Sequence, residues 1–213
     1  MTDPDRTLLA ILLDRSGSMA SIQDDTEGGF NTFIDKQRLA AKFVGVTLAQ
    51  FDTEYDVVYT NRSIDEVPTL DLQPRGGTAL YDGIGRLITE VGRDLASLPE
   101  SERPGAVTVV VLTDGHENSS REWTHDAVKA AITRQEQHYA WDFLFLGANM
   151  DAVAVGTSMG FAGNKSITYT TSSAGVEGAF AAAASYNVRK MSAPLGAPPV
   201  DGFSDEDRAG AAR

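Results

Sequence analysis

The chain has 213 residues, of which 42% are hydrophobic and 23% charged, and this composition excludes a wholly disordered chain, a coiled coil and a collagen-like fibre. Its net charge of −12 disfavours nucleic acids and anionic membrane surfaces as partners, because both are bound through basic faces. The chain contains no cysteine, which excludes disulfides, zinc–thiolate sites and iron–sulfur clusters.

The first residues predict a protein that stays in the cytoplasm. Residues 1–6 include two aspartates, and the apolar run that follows, residues 8–13, is short. A signal peptide has a basic start and a longer apolar stretch, and a membrane span needs about 18 apolar residues. We therefore expect a cytoplasmic monomer with no membrane partner.

The first third of the chain predicts a buried strand, a helix and a hairpin. The apolar run of residues 7–13 is bounded by charge, which is typical of a strand buried on both faces. Apolar side chains recur at helical spacing between residues 19 and 34. Residues 43–60 read as two strands joined by a short turn. Residues 61–77 have no strong period and predict a crossing loop with one turn of helix.

The rest of the chain alternates helices with strands. An amphipathic helix is predicted by the spacing of Ile84, Leu87, Ile88, Val91, Leu95 and Leu98. The run AVTVVVLT at residues 106–113 predicts a fully buried strand. Further along, the pattern predicts a helix over 122–139, a strand over 141–146, a short helix from Asp151, a strand over 166–171 and a helix over 174–191.

This alternation indicates the fold class and the domain organisation. We predict an α/β fold with a doubly wound, mostly parallel sheet, one antiparallel edge strand and helices on both faces. Residues 1–192 would form this domain. Residues 193–213 are rich in proline, glycine and alanine and carry an acidic cluster, so we expect a disordered tail.

Polar residues stand at three strand–helix junctions. DRSGS at residues 14–18 follows the first strand, GGT at 76–78 precedes the amphipathic helix, and TDG at 113–115 follows the strand of residues 106–113. The loops after the carboxyl ends of parallel strands converge at one edge of the sheet. Five oxygen donors would therefore meet there: Asp14, Ser16, Ser18, Thr78 and Asp114.

The donor set points to a hard cation. Two carboxylates and three hydroxyls, without histidine or sulfur, select Mg²⁺ or Mn²⁺, with Ca²⁺ as an alternative, over zinc and copper. Serine and aspartate are also ordinary N-cap residues at such junctions, and a D-x-S-x-S match alone has little specificity. The strand context and the two further motifs favour metal binding.

These residues resemble the metal-ion-dependent adhesion site of the von Willebrand factor type A family. DRSGS matches the D-x-S-x-S motif of that site, Thr78 in GGTALYDGI matches its separate threonine, and Asp114 in VVVLTDG matches its separate aspartate. The resemblance also covers FNTFIDKQR and VTLAQFDT, spans residues 6–150, and is to intracellular bacterial members of the family.

The resemblance implies a role for each residue. Ser16 and Ser18 would bind the metal directly, Thr78 directly or through water, and Asp14 and Asp114 directly or through water. A glutamate or aspartate of a partner protein would take the open position on the cation. The expected function is thus a metal-dependent module that recognises an acidic side chain of another protein.

Two further residues near these motifs have simpler expected roles. Arg15 occupies a variable position inside DRSGS, and we expect its side chain to be solvated. Asp52 follows a strand at the same edge and is expected to form a turn.

Two other functions stay open. A Mg²⁺-dependent hydrolase or phosphoryl-transfer enzyme also uses paired carboxylates, but the chain lacks the phosphate loop G-x-x-x-x-G-K. It also has Ser16 where a phosphatase with an aspartyl nucleophile carries a second aspartate. The third candidate is a structural assembly subunit whose metal stiffens the sheet edge. We expect no enzyme activity.

Overall fold

The computed structural model, which describes residues 2–40, 43–193, 198 and 200–213, contains a single six-stranded sheet. The strand order is β3-β2-β1-β4-β5-β6, and only the β2–β3 pair is antiparallel. This confirms the predicted fold class with its antiparallel edge strand. The strands are β1 (Asp3–Asp14), β2 (Phe43–Phe51), β3 (Tyr55–Ser63), β4 (Pro104–Thr113), β5 (Asp142–Ala148) and β6 (Ser166–Tyr169).

Six α-helices accompany the sheet in the described part of the chain. They are α1 (Gln23–Ala40), α2 (Leu80–Ser97), α3 (His125–Tyr139), α4 (Ala152–Ser158), α5 (Ser173–Ser192) and α6 (Asp205–Ala211). The predicted turn of helix in the crossing loop is present at Ile64–Glu66. Helix α3 begins three residues later than predicted, because residues 115–124 form a loop over the carboxyl edge of the sheet. Within the described part of the chain, no helix combines the length and apolarity needed to cross a membrane.

The core forms two apolar layers, because successive side chains of a strand point to opposite faces. Leu9, Ile11 and Leu13 of β1 face α1 and α5. Leu8, Ala10 and Leu12 of the same strand face α2 and α3. The continuous apolar run of β1 is therefore the sequence signature of a strand covered by helices on both sides.

The central strands determine where the polar loops lie. Strand β1 pairs in parallel with β2 on one side and with β4 on the other, with Leu13 opposite both Gln50 and Leu112. The chain order reverses at β1, so loops leaving β1 and β4 pass to opposite faces and leave a crevice between them. All three motifs predicted from the sequence border this crevice.

Residues 200–213 differ from the predicted disordered tail. They carry helix α6, which Ser204 and Asp207 start with a capping box. The helix packs on α5 so closely that a Cβ on Gly178 would lie 2.5 Å from the carbonyl of Gly210. Ala211 is buried and accepts a hydrogen bond from the amide of Thr170 at the end of β6. This segment therefore belongs to the domain predicted to end at residue 192, whereas residues 194–197 and 199 lie outside the described residues.

We predict that Phe203→Ala lowers the free energy of unfolding by about 3 kcal/mol, the lower end of the usual range for truncating a buried phenylalanine to alanine. The Phe203 side chain is 7% exposed and its ring meets that of Tyr186 at 6.3 Å. Urea denaturation measures the loss, with Leu39→Ala as the control because Leu39 is 91% exposed. Equal stabilities of the two variants would contradict the packing of this segment.

Candidate metal centre

Two aspartates stand side by side at the carboxyl ends of β1 and β4. Asp14 is the last residue of β1, and Asp114 directly follows β4. Ser18 and Ser16 connect them: the Ser18 hydroxyl donates to Asp114 Oδ1 at 2.7 Å and lies 3.2 Å from the Ser16 hydroxyl, and the Ser16 amide donates to Asp14 Oδ1 at 2.6 Å. The structure thus brings together four of the five predicted donors through β1, β4 and the loop after β1.

Thr78, the fifth predicted donor, lies beside the same group. A Cβ placed on Gly115 would be 3.2 Å from Thr78 Oγ1 and 3.7 Å from Ser18 Oγ, so both hydroxyls lie next to Gly115. Thr78 is also tied to the loop after β4. Its amide donates to Asn118 Oδ1 at 2.9 Å, and the Asn118 amide donates to its carbonyl at 3.0 Å.

The orientation of Asp14 is fixed by two donors. The Ser16 amide donates to Oδ1 at 2.6 Å, and the Thr113 hydroxyl donates to Oδ2 at 2.5 Å. Thr113 is fully buried and also receives a hydrogen bond from the amide of Gly115 at 3.2 Å. Sequence analysis missed Thr113 and Asn118. Only the place of Thr113, beside Asp114 at a strand end, could have indicated its role.

The loop of residues 115–124 is held against the N-terminus of α2 from both sides. The carboxylate of Glu117 accepts the amide of Tyr81 in the first turn of α2 at 2.9 Å, together with two amides of its own loop. In return Asp82 accepts the amides of residues 121–123. These reciprocal caps fix the position of Thr78 relative to Asp114, because Thr78 lies just before α2 and Asp114 lies just before the loop of residues 115–124.

Burial disfavours the charged form of both aspartates. The pKa of Asp14 is raised to about 6, chiefly by burial and to a smaller extent by the negative charge of Asp114, despite hydrogen bonds from Thr113 and Ser16 that lower it. Burial also raises the pKa of Asp114. Across residues 2–40, 43–193, 198 and 200–213, neither carboxylate forms an ion pair with a basic side chain. The site therefore collects negative charge that the described side chains do not neutralise.

Arg15 does not supply that positive charge. The prediction that it is solvated is wrong, since its side chain is only 10% exposed and pairs with Asp52 at 2.8 Å and with Asp56. Asp52 has more than the predicted role in a turn. Its Oδ1 accepts the Glu54 amide as a turn residue does, but its Oδ2 accepts both Arg15 and Arg75.

The donor set fits a hard divalent cation. The described residues contain no cluster of three or more His, Cys, Asp or Glu side chains suited to a metal, so a cation here would rely on two carboxylates and three hydroxyls. Such oxygen donors suit Mg²⁺ or Mn²⁺, which keep waters in their coordination shell. Soft or imidazole-preferring metals have no ligand of their own type in this cluster.

Comparisons with solved structures identify the fold. No family model and no curated protein match the chain in sequence. It is similar to the vWF domain of a type V pili tip protein from Porphyromonas gingivalis, with a TM-score of 0.62 and 12% identity over 91% of this chain and 98% of that one. It is also similar to a von Willebrand factor type A protein from Catenulispora acidiphila, with a TM-score of 0.57 and 16% identity over 87% of this chain and 43% of that one. A third similar structure is the pilus adhesin SpaC from Lactobacillus rhamnosus GG, with a TM-score of 0.63 and 14% identity over 89% of this chain and 30% of that one.

These likenesses concern the fold. At 12–16% identity they place the chain in the von Willebrand factor type A fold, as its resemblance in sequence led us to expect. The chain spans less than half the length of several of the similar structures, among them proximal thread matrix protein 1 from the mussel byssus at 46%.

We predict that the protein freed of metal by EDTA loses stability as the pH rises from 5 to 7. The pKa of Asp14 is about 6 in the folded state and 3.8 ordinarily, so between these values the folded protein holds a proton that the unfolded chain has already released. This stabilisation is lost as the pH rises towards 6, and the loss levels off above it. From pH 5 to 7 the loss should be about 1.4 kcal/mol, the value of one pKa unit, because only the last unit of the interval between 3.8 and about 6 lies above pH 5. Urea denaturation at each pH measures it, and Asp14→Asn should remove this part of the pH dependence. Parallel pH profiles of the two proteins would contradict the raised pKa.

Proposed function

We propose that this von Willebrand factor type A fold serves as a metal-dependent protein-binding module, in which a divalent cation receives an acidic side chain of a partner. Mg²⁺ or Mn²⁺ would be held by Asp14, Ser16, Ser18, Thr78 and Asp114. When bound, the cation supplies a positive charge that attracts a carboxylate.

The observation that carries this proposal is the pair of buried aspartates. Two like charges in a site of low dielectric repel each other, and burial alone already raises the pKa of both. A divalent cation between them would reverse this balance, because it neutralises both charges at once. The surrounding hydroxyls of Ser16, Ser18 and Thr78 have the oxygen chemistry that a hard cation needs.

The open side of the cluster supports the binding of an outside group. Asp14, Ser16, Thr78 and Asp114 are buried, whereas Ser18 is exposed at the surface of the crevice. Five protein donors leave room for a sixth oxygen around an octahedral cation. A partner carboxylate would meet a cation there, and a charge-assisted contact of that kind is stronger than a neutral hydrogen bond.

The similar structures support a binding role over catalysis. Their names describe a pilus adhesin and a pili tip protein, and adhesion is binding of another surface. The residues that fix Asp14 and Thr78 are Thr113 and Asn118, and both are engaged in holding loops. We accordingly assign the centre to recognition.

We predict that excess Mg²⁺ or Mn²⁺ raises the melting temperature by about 5–10 °C relative to EDTA, since a ligand at 100 times its Kd adds about 2.7 kcal/mol. Asp114→Ala should abolish most of this shift while the protein stays folded. Removal of one of two repelling carboxylates should even slightly raise the stability measured in EDTA.

The control for this melt is Asp126→Ala, because Asp126 is 98% exposed in the first turn of α3. It should keep the full response to metal. A response of Asp114→Ala equal to that of the wild type would remove Asp114 from the site and defeat the proposal.

We also predict that the immobilised protein captures a partner from lysate in Mg²⁺ and releases it in EDTA. The Asp114→Ala protein should capture none of it, because the partner's carboxylate would lack its cation. Quantitative mass spectrometry of the eluates measures the difference, again with Asp126→Ala as the control. Capture that is unchanged by EDTA would favour the structural role of the metal over recognition.

A further inference from the structure

A third acidic residue at the same sheet edge joins the two loops that carry the proposed metal ligands. The Asp52 carboxylate is 1% exposed, and its Oδ2 accepts Nε of Arg15 and Nε of Arg75, each at 2.8 Å. Arg15 lies between Asp14 and Ser16 in the loop after β1. Arg75 lies three residues before Thr78. One carboxylate oxygen thus holds both loops.

Backbone hydrogen bonds join the same segments. The Arg75 amide donates to the Arg15 carbonyl at 2.8 Å, and the Gly17 amide donates to the Gly76 carbonyl at 3.2 Å. Beyond Thr78, the Ala79 amide donates to the carbonyl of Asp52 at 2.8 Å. The 75–79 loop is therefore fastened to Asp52 or its partner Arg15 on both sides of Thr78.

The close approach of these loops depends on Gly76. Its φ of +68° lies in the left-handed region, and a Cβ there would be 3.1 Å from Thr53 Oγ1. The turn thereby brings Arg75 over Asp52 and directs the chain back towards Thr78. We call the group of Asp52, Arg15 and Arg75 the Asp52 clamp.

The clamp also determines where the charge of Arg15 lies. A guanidinium inside the DRSGS loop would repel a bound cation if it turned towards the cluster. Instead Arg15 pairs with Asp52 and Asp56, and Arg75 pairs with Asp52 and with Glu54 at 2.9 Å. Both positive charges are therefore paired with carboxylates that do not belong to the proposed ligand set.

We propose that Asp52 is a positioning residue that gives the centre its preference for Mg²⁺ and Mn²⁺ over Ca²⁺, an inference that rests on the proposed function. Asp52 is not itself a ligand. It holds the loop of Ser16 and Ser18 at a fixed distance from the loop of Thr78, so the span between the three hydroxyls is rigid.

Rigidity discriminates between these cations because they differ in coordination. Mg²⁺ demands nearly ideal octahedral geometry at about 2.0–2.1 Å, whereas Ca²⁺ takes 6–8 oxygens at about 2.3–2.6 Å in flexible arrangements. Two loops held at a fixed distance therefore favour Mg²⁺, which is the smaller ion and tolerates less variation in its coordination geometry. Loosening the loops should weaken Mg²⁺ binding more than Ca²⁺ binding, whereas a general loss of stability would weaken both alike.

The test compares the Kd values for Mg²⁺ and Ca²⁺ by calorimetry in the wild type, Asp52→Asn, Arg75→Gln and Glu54→Gln. Asp52→Asn should weaken Mg²⁺ binding about tenfold or more, the lower end for loss of a residue that orients metal ligands, with a smaller effect on Ca²⁺. Arg75→Gln should show the same direction with a smaller change. Glu54→Gln is the control, because the Glu54 side chain is 68% exposed and pairs with Nη2 of Arg75, while the backbone hydrogen bonds between Glu54 and Asp52 do not depend on that side chain.

Melting curves in EDTA accompany each titration and report whether the variant is folded. If Asp52→Asn does not fold, Arg75→Gln decides the question, since its side chain is half exposed. Equal losses of Mg²⁺ and Ca²⁺ affinity, or no loss, in the folded variants would overturn the role of Asp52. A wild type that binds neither cation would instead overturn the proposed function before any variant is compared.

Discussion

The structure around the crevice depends on one electrostatic constraint: two carboxylates are buried beside each other without a basic partner among the described residues. Asp14 and Asp114 lie there because they end adjacent parallel strands. Hydrogen bonds from Thr113, Ser16 and Ser18 offset part of the cost of burying them. The remaining imbalance is what a divalent cation would neutralise, so the same feature that weakens the empty site would make it a strong receptor for metal.

The sheet order converts this constraint into a surface site. Reversal of the chain order at β1 opens the crevice between the loops after β1 and β4, and α2 begins at its rim. The pairing of β2 with β1 adds Asp52 to the same edge. Three loops distant in sequence are thereby joined by side chains, through Asn118 on one side and Asp52 on the other. The unfolded chain has no equivalent of this arrangement.

Local patterns predicted most of the fold and all five proposed ligands. Apolar runs identified β1 and β4, and the motifs at their ends placed Asp14 and Asp114 at one edge. Features that depend on distant contacts could not be predicted. Arg15 is buried because it pairs with Asp52. Asp52 lies 37 residues away in the sequence, so no local pattern could have predicted this contact. Helix α6 has only seven residues, too short to be stable alone, and forms on a surface supplied by α5 and β6.

The central claim is that the buried carboxylate pair is a cation site. Its most direct test is a crystal structure of the protein grown with Mn²⁺, with anomalous diffraction data that locate manganese independently of the refined coordinates. We predict one strong anomalous peak in contact with the hydroxyl oxygens of Ser16 and Ser18, between Asp14 and Asp114. A fully ordered crevice with no peak there, or with manganese bound only elsewhere on the molecule, would contradict it.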